Sequence, residues 1–277
     1  MVTTPPRSDL TFRERIGVAL GTTTPIREGI EWAAANDVRF LDFRPDERSL
    51  DPDDYGPDEV AAIREACEAN GVRFGLHSLS GVNVAETVPF VAEGVDEYLR
   101  AYVDLAAHLG ASWVIVHPGC HFGDREARLT ASIERLRRLG RYADDRGVPL
   151  VMCNMNPEPP DGEMHYLGAD LDGYRRYADG VPADHLEWAF NAPHAHLSDD
   201  GIDGFLDGID VGRIGHVRLN DNRGEVEEHL YPGEGTIDFA SLFDRLEGAG
   251  FDGHYTLAFG SKADMLEGRE YLVERRA

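Results

Sequence analysis

Lysine is almost missing from this chain: Lys262 stands alone, and the rest of its 27 basic residues are arginine. Positive charge of any kind is scarce, with 51 acidic residues setting a formal net charge of −24. Such a surface repels phosphate backbones and anionic headgroups, so no nucleic acid or membrane partner is expected at ordinary salt. Molar salt would blunt that repulsion, because the Debye length falls to about 3 Å at 1 M. The acids are spread along the whole chain, which predicts a solvated acidic shell suited to a halophilic, acidic proteome. The three cysteines, Cys67, Cys120 and Cys153, do not suggest a disulfide framework. Cys67 has apolar neighbours at helical spacing and is expected in the core, and Cys120 in a packed loop. The opening segment MVTTPPRSDL lacks the apolar stretch of a signal peptide, and no run reaches 18 apolar residues. A soluble, cytoplasmic protein is therefore expected.

What is present is alternation. After a polar lead over 1–14, short apolar runs predict strands over 16–20, 38–43, 72–77, 112–117, 148–154, 185–191, 217–220 and 254–259. Helical patterns fall between them over 24–36, 57–70, 87–109, 126–146, 171–178, 202–209 and 238–249, with a last one over 262–276. Pro25 and Pro57 are start signals, and Gly71, Gly110 and Gly250 are stop signals. The arginines of 126–146 are expected to form a solvated face. Trp32, Trp113 and Trp188 are expected in or near the core. Strands alternating with helices imply a parallel sheet. Eight such units, without a linker or a composition break, predict a single-domain (β/α)8 barrel over 1–277. The other arrangement, a doubly wound open sheet, is disfavoured because no glycine-rich dinucleotide fingerprint follows the first strand.

The polar side chains gather where these strands end. His77, His117, Cys153 with Asn154, Asn191, and Arg218 with Asn220 close strands three to seven in turn, and His194 follows the sixth. The C-terminal face is where barrels carry their chemistry. The stretch 214–239, IGHVRLNDNRGEVEEHLYPGEGTIDF, is the densest case. It begins with Val217 and Leu219 alternating with polar neighbours. It then packs Arg218, Asn220, Asp221, Glu227 and His229 into one loop, and closes in the PGEGT turn before a helix. Gly233 and Gly235 are candidates to cradle a phosphate at that helix start; a plain strand-to-helix turn is the competing expectation. Asp42 and Arg44, ending the second strand, are free to pair with each other or to touch substrate.

The segments HSLSGVN (77–83), VHPG (116–119), NAPH (191–194), RLND (218–221) and HLYPGEG (229–235) resemble the xylose isomerase-like TIM barrels. That superfamily holds sugar-phosphate isomerases and epimerases together with the multi-zinc apurinic endonucleases (AP endonuclease family 2). The resemblance covers nearly the whole chain. It implies a small-molecule ligand and a homo-oligomer. In the isomerases one divalent metal is held by two Glu, an Asp and a His; the matching positions here are Cys153, Asn191, Arg218 and Ala258, and all four depart. Three acids are lost and one arginine is gained, making the site four charges more positive. A cation about 4 Å from Arg218 would be repelled by roughly 4 kcal/mol at an effective dielectric of ~20, with nothing at those four positions to offset it. Magnesium or manganese is not expected there, and an anion-attracting pocket is.

The endonuclease-like positions keep plausible ligands. His77, His117 and Cys153 match one zinc set, and His194, Glu227 and His229 another. The alternative for both is a set of polar residues hydrogen-bonded in the pocket. The leading expectation is a sugar isomerase/epimerase-like barrel for a small polyhydroxylated or anionic metabolite, with its metal chemistry altered or lost. His117, His194 or His229 would exchange protons, and Arg218 would stabilise the developing oxyanion. His77, Asn83, Asn154, Asn191, Asn220, Asp221, Gly233 and Gly235 would contact the ligand. Two further possibilities stand beside it: a non-catalytic binding or partner barrel, and a zinc-dependent hydrolase.

Overall fold

A computed structural model describes residues 10–47 and 49–276; most of the polar lead lies outside them. Eight strands form the barrel: β1 (Ile16–Ala19), β2 (Phe40–Phe43), β3 (Arg73–His77), β4 (Trp113–Val116), β5 (Leu150–Cys153), β6 (Glu187–Asn191), β7 (Ile214–Leu219) and β8 (His254–Leu257). Each pairs in parallel with its sequence neighbour, and β1 pairs with β8 to close the ring. The expected helices are present as α1 (Ile26–Ala35), α2 (Pro57–Asn70), α3 (Pro89–Leu109), α4 (Arg125–Asp144), α5 (Leu171–Gly180), α7 (Gly201–Gly208), α8 (Phe239–Gly248) and α9 (Lys262–Arg276). Gly71 and Gly110 stop α2 and α3 in the left-handed region, at φ 61° and 81°, where a Cβ would be strained.

Two elements were not expected. A short helix α6 (Ala192–Leu197) follows β6, with Pro193 in its first turn. Its six residues are too few to show a helical period. Cys120–His121 and His165–Tyr166 pair as a small antiparallel sheet over the barrel mouth. In α4 the expected solvated face is corrected at Arg135, which is buried. It donates to Asp96 at 2.7 Å and to the carbonyls of Val84 and Glu86, fastening the loop before α3.

Two apolar layers hold the barrel. The larger lies between strands and helices and includes Val217, Leu219 and Trp188. The smaller, inside the ring, is Phe40, Trp113, Ile115, Val151, Cys153 and Ala189. At the N-terminal end of the ring, Phe40 stacks on His254 with centroids 4.4 Å apart, and Trp113 and His216 close on the same imidazole. Two glycines make room for this floor. A Cβ on Gly75 would lie 1.9 Å from Trp113 Nε1, and one on Gly17 would lie 2.3 Å from the Phe40 carbonyl. Strand β7 starts earlier than its polarity suggests, because His216 is buried inside the ring instead of facing water. A register shift against β6 skips Gly215, so that Ala189 opposes His216 and Asn191 opposes Arg218. That shift carries Arg218 to the mouth beside Asn191.

Candidate active site at the barrel mouth

The ends of β3 to β7 and the loop after β7 enclose a well of about 210 Å³. His77, His117, Cys153, Asn191, His194, Arg218, Asn220, Glu227 and His229 line it, with Arg44, Ser78, Ser80, Met155, Asn156 and Tyr166. Eight separate stretches of the sequence meet here: six follow the ends of β2 to β7, and Tyr166 and the loop carrying Glu227 and His229 reach in beside them. A larger groove of about 880 Å³ adjoins the well and shares Asn156, Tyr166 and Glu227 with it. Its walls include Glu158, Asp170, Asp199, Asp200 and Glu225 against one arginine, Arg125.

On one wall His77 and His117 meet Nε2 to Nε2 at 3.2 Å. Burial and the charge of Arg218 hold both rings neutral: His77 lies well below its ordinary pKa, and His117 falls to about 3. Burial pushes the Cys153 thiol up to about 12. Ligand atoms of these three residues all lie within 4.8 Å of one another, and among the described residues no other His, Cys, Asp or Glu trio does so. Two imidazoles and a sulfur suit zinc and leave a fourth position open. Cys153, Asn191, Arg218 and Ala258, the positions that the resemblance sets against the isomerase metal ligands, offer no carboxylate and include a guanidinium; such side chains do not fit a hard dication.

Arg218 is not the uncompensated charge that the sequence predicts. Its Nη1 donates to Asp42 Oδ2 at 2.9 Å, and the Asp42 carboxylate also accepts from Trp113 Nε1 at 2.9 Å. His216 Nε2 lies 3.5 Å from the same carboxylate. Asp42 is wholly buried; burial pushes its pKa up to about 6 against the opposing pull of Arg218. Asp42 therefore offsets one unit of the expected positive charge, and the pairing of Asp42 with Arg44 gives way to this one.

The opposite wall is a proton-bearing cluster. His194 Nε2 and His229 Nε2 both lie 2.8 Å from Glu227 Oε1. Each ring is oriented from behind by a backbone carbonyl: Asn154 O at 2.8 Å from His194 Nδ1, and Ala258 O at 3.0 Å from His229 Nδ1. Burial alone would raise the Glu227 pKa, but the two imidazole hydrogen bonds outweigh it and hold the carboxyl well below the usual range. The Glu227 hydrogen bond raises His229 in turn. A raised His pKa favours folding below the ordinary value of about 6.5, and that contribution is lost as pH climbs through the folded value. An NMR titration should find the His229 midpoint above the ordinary value of about 6.5, and His229→Gln should cost more stability at pH 6 than at pH 9. A midpoint at or below 6.5 would contradict the geometry. His229 is exposed, so water screens the effect.

Several expected ligand contacts are used internally instead. The Asp221 carboxylate accepts N–H bonds from Asn222, Gly233, Gly235 and Ile237 at 2.8–3.2 Å. Gly233 and Gly235 thus have no free N–H for a phosphate, and Asp221 is fully buried. Asn83 ties Ala85 to Cys120, and Asn154 brackets the backbone of Asn191; neither lines the well. Four buried atoms of lining residues have no hydrogen-bond partner among the described residues: Arg44 Nε, Asn191 Oδ1, Asn220 Oδ1 and His117 Nδ1. The sequence missed Asp42's role, although a lone acid in the strand FLDF is itself a signal, since a buried carboxylate demands a partner.

This barrel, with its polar cup at the C-terminal ends of the strands, is the architecture of a TIM-barrel enzyme family. The chain belongs to the xylose isomerase-like TIM barrel family, whose model matches residues 30–275. It is 24% identical over 226 residues to an uncharacterised protein of Methanocaldococcus jannaschii, covering 79% of this chain and 75% of that one. It is 28% identical over 194 residues to a probable endonuclease 4 of Staphylococcus saprophyticus, covering 64% of this chain and 63% of that protein. A crystal structure of a D-tagatose 3-epimerase-like protein superposes with a TM-score of 0.78 at 22% identity, covering 94% and 96% of the two chains. Among the described residues no helix is long and apolar enough to cross a membrane.

Proposed function

We propose that this barrel binds a small, neutral, polyhydroxylated carbonyl compound in the well and moves a proton next to its carbonyl, as a sugar isomerase or epimerase does, with the four-residue metal site of that branch lost. One observation carries the proposal: the unpartnered buried atoms of the lining are of both kinds, the acceptors Asn191 Oδ1 and Asn220 Oδ1 and the donor Arg44 Nε. Sugar hydroxyls both donate and accept and so can meet all three, whereas a fully ionised phosphate or carboxylate can meet only the donor. His194 and His229, joined through Glu227, are placed to take a proton and return one. The remaining guanidinium donors of Arg218 are assigned to the oxygen on which negative charge develops. Incubation with D-tagatose, D-fructose and related neutral ketoses and aldoses in D2O tests this. Deuterium should appear at the carbon beside the carbonyl, and those sugars should raise the Tm more than their phosphates do. No exchange and no shift with any neutral sugar would remove the proposal.

The convergence of His77, His117 and Cys153 favours a second reading, a zinc-dependent hydrolase akin to endonuclease 4. Zinc held by those three residues would supply Lewis acidity at its open position. Cys153 must lose its proton on binding, so apparent zinc affinity should rise about tenfold per pH unit between pH 6 and 8. Chelator competition checks this, and Cys153→Ser should flatten the slope. Less than a tenth of an equivalent of zinc in protein purified without chelator, with no nicking of abasic DNA, would exclude it.

A further inference from the structure

We infer that Asp42 is a specificity-determining positioning residue: it neutralises Arg218 from beneath and so makes the well select neutral ligands over anionic ones. The inference rests on the ligand class proposed above. Asp42 lies below the cup, its side chain 1% exposed, and cannot touch a ligand itself. It acts through Arg218, whose Nη1 it holds at 2.9 Å while the rest of that side chain lines the well. Trp113 Nε1 fixes the other carboxylate oxygen at 2.9 Å, and His216 stands at 3.5 Å, so the acid cannot swing away.

The electrostatic consequence is direct. An anion about 4 Å from the guanidinium would also lie about 7 Å from the carboxylate, leaving roughly two-fifths of the attraction of an isolated arginine. The other charged groups facing the well are the same in every variant compared. Glu227 opposes an anion and engages His229, while Arg44 lines the well as a second cation whose charge reaches His77 and His117. A well built to hold a phosphate would gain by leaving Arg218 unpaired; here a buried acid is spent on cancelling it.

Calorimetric titration of the full chain with inorganic phosphate and with D-tagatose tests the inference. The proteins are the parent, Asp42→Asn, and the double variant Asp42→Asn/Arg218→Gln. The amide introduced by Asp42→Asn keeps an oxygen for Trp113 while removing the charge. Phosphate affinity should rise at least tenfold in Asp42→Asn and return to the parental level in the double variant, and in Asp42→Asn the D-tagatose affinity should change less than threefold. A residue serving only the fold would not produce a gain of anion binding. Unchanged phosphate affinity in a folded Asp42→Asn protein would overturn the inference. Should Asp42→Asn not fold, the double variant, which buries no net charge, decides: parental phosphate affinity upholds neutralisation, and a tenfold loss refutes it. Phosphate gain without D-tagatose binding in any protein would leave Asp42's control of Arg218 standing and remove the neutral-sugar reading instead.

Discussion

Replacing Arg218 with methionine should destabilise the fold by about 3–5 kcal/mol at pH 8, because it leaves a buried carboxylate without its counter-charge. The loss should shrink at pH 5. The Asp42 pKa is raised to about 6 even with the guanidinium beside it, and without that pull it moves higher still. A carboxyl whose folded pKa exceeds its unfolded one favours the folded state at low pH, where both states hold the proton. That contribution is lost as pH rises from the unfolded value of about 3.9 through the folded one. Urea unfolding at pH 5 and pH 8 measures the difference. Equal destabilisation at both would mean that Asp42 does not take up the proton. Removing both charges together should cost less than removing Arg218 alone, since the paired loss leaves no ion stranded.

Glu227→Gln should lower the rate of deuterium exchange into a turned-over sugar by about 10²- to 10⁴-fold, the usual range for a positioned acid–base group. Glutamine keeps the shape but cannot hold His194 and His229 as a shared proton reservoir around one oxygen. The KM should move little, because the orphaned asparagine oxygens, assigned above to the sugar hydroxyls, do not bond to Glu227. A rate within tenfold of the parent would show that the proton moves elsewhere, and His117 would be the next residue to vary.

Much of the ring was legible because its chemistry sits at the ends of apolar runs. His77, Cys153 and Asn191 each close a strand, and the barrel brings them to one cup as the alternation of strands and helices implies. What was not legible depends on closure. Asp42 and Arg218 lie 176 residues apart and meet only across the finished ring. Neither residue's local pattern names the other, so the electrostatic sign of the cup was overestimated. The PGEGT turn misled for a different reason. A glycine-rich turn has the same composition whether its N–H groups await a phosphate or are already satisfied, as here, by the carboxylate of Asp221. Helix α6 was hidden by its length, yet it is what swings His194 back over Asn154 toward Glu227.

The stacked rings of Phe40, Trp113, His216 and His254 stopper the lower end of the cylinder. Traffic is therefore one-ended: any ligand and the solvent it displaces share the upper opening, and a new molecule cannot enter until the last has left. In the proton transfer proposed above, hydrogen lifted from a bound carbon would have the same single exit, past the exposed ring of His229. Some of it should return to the molecule it came from before bulk water can replace it.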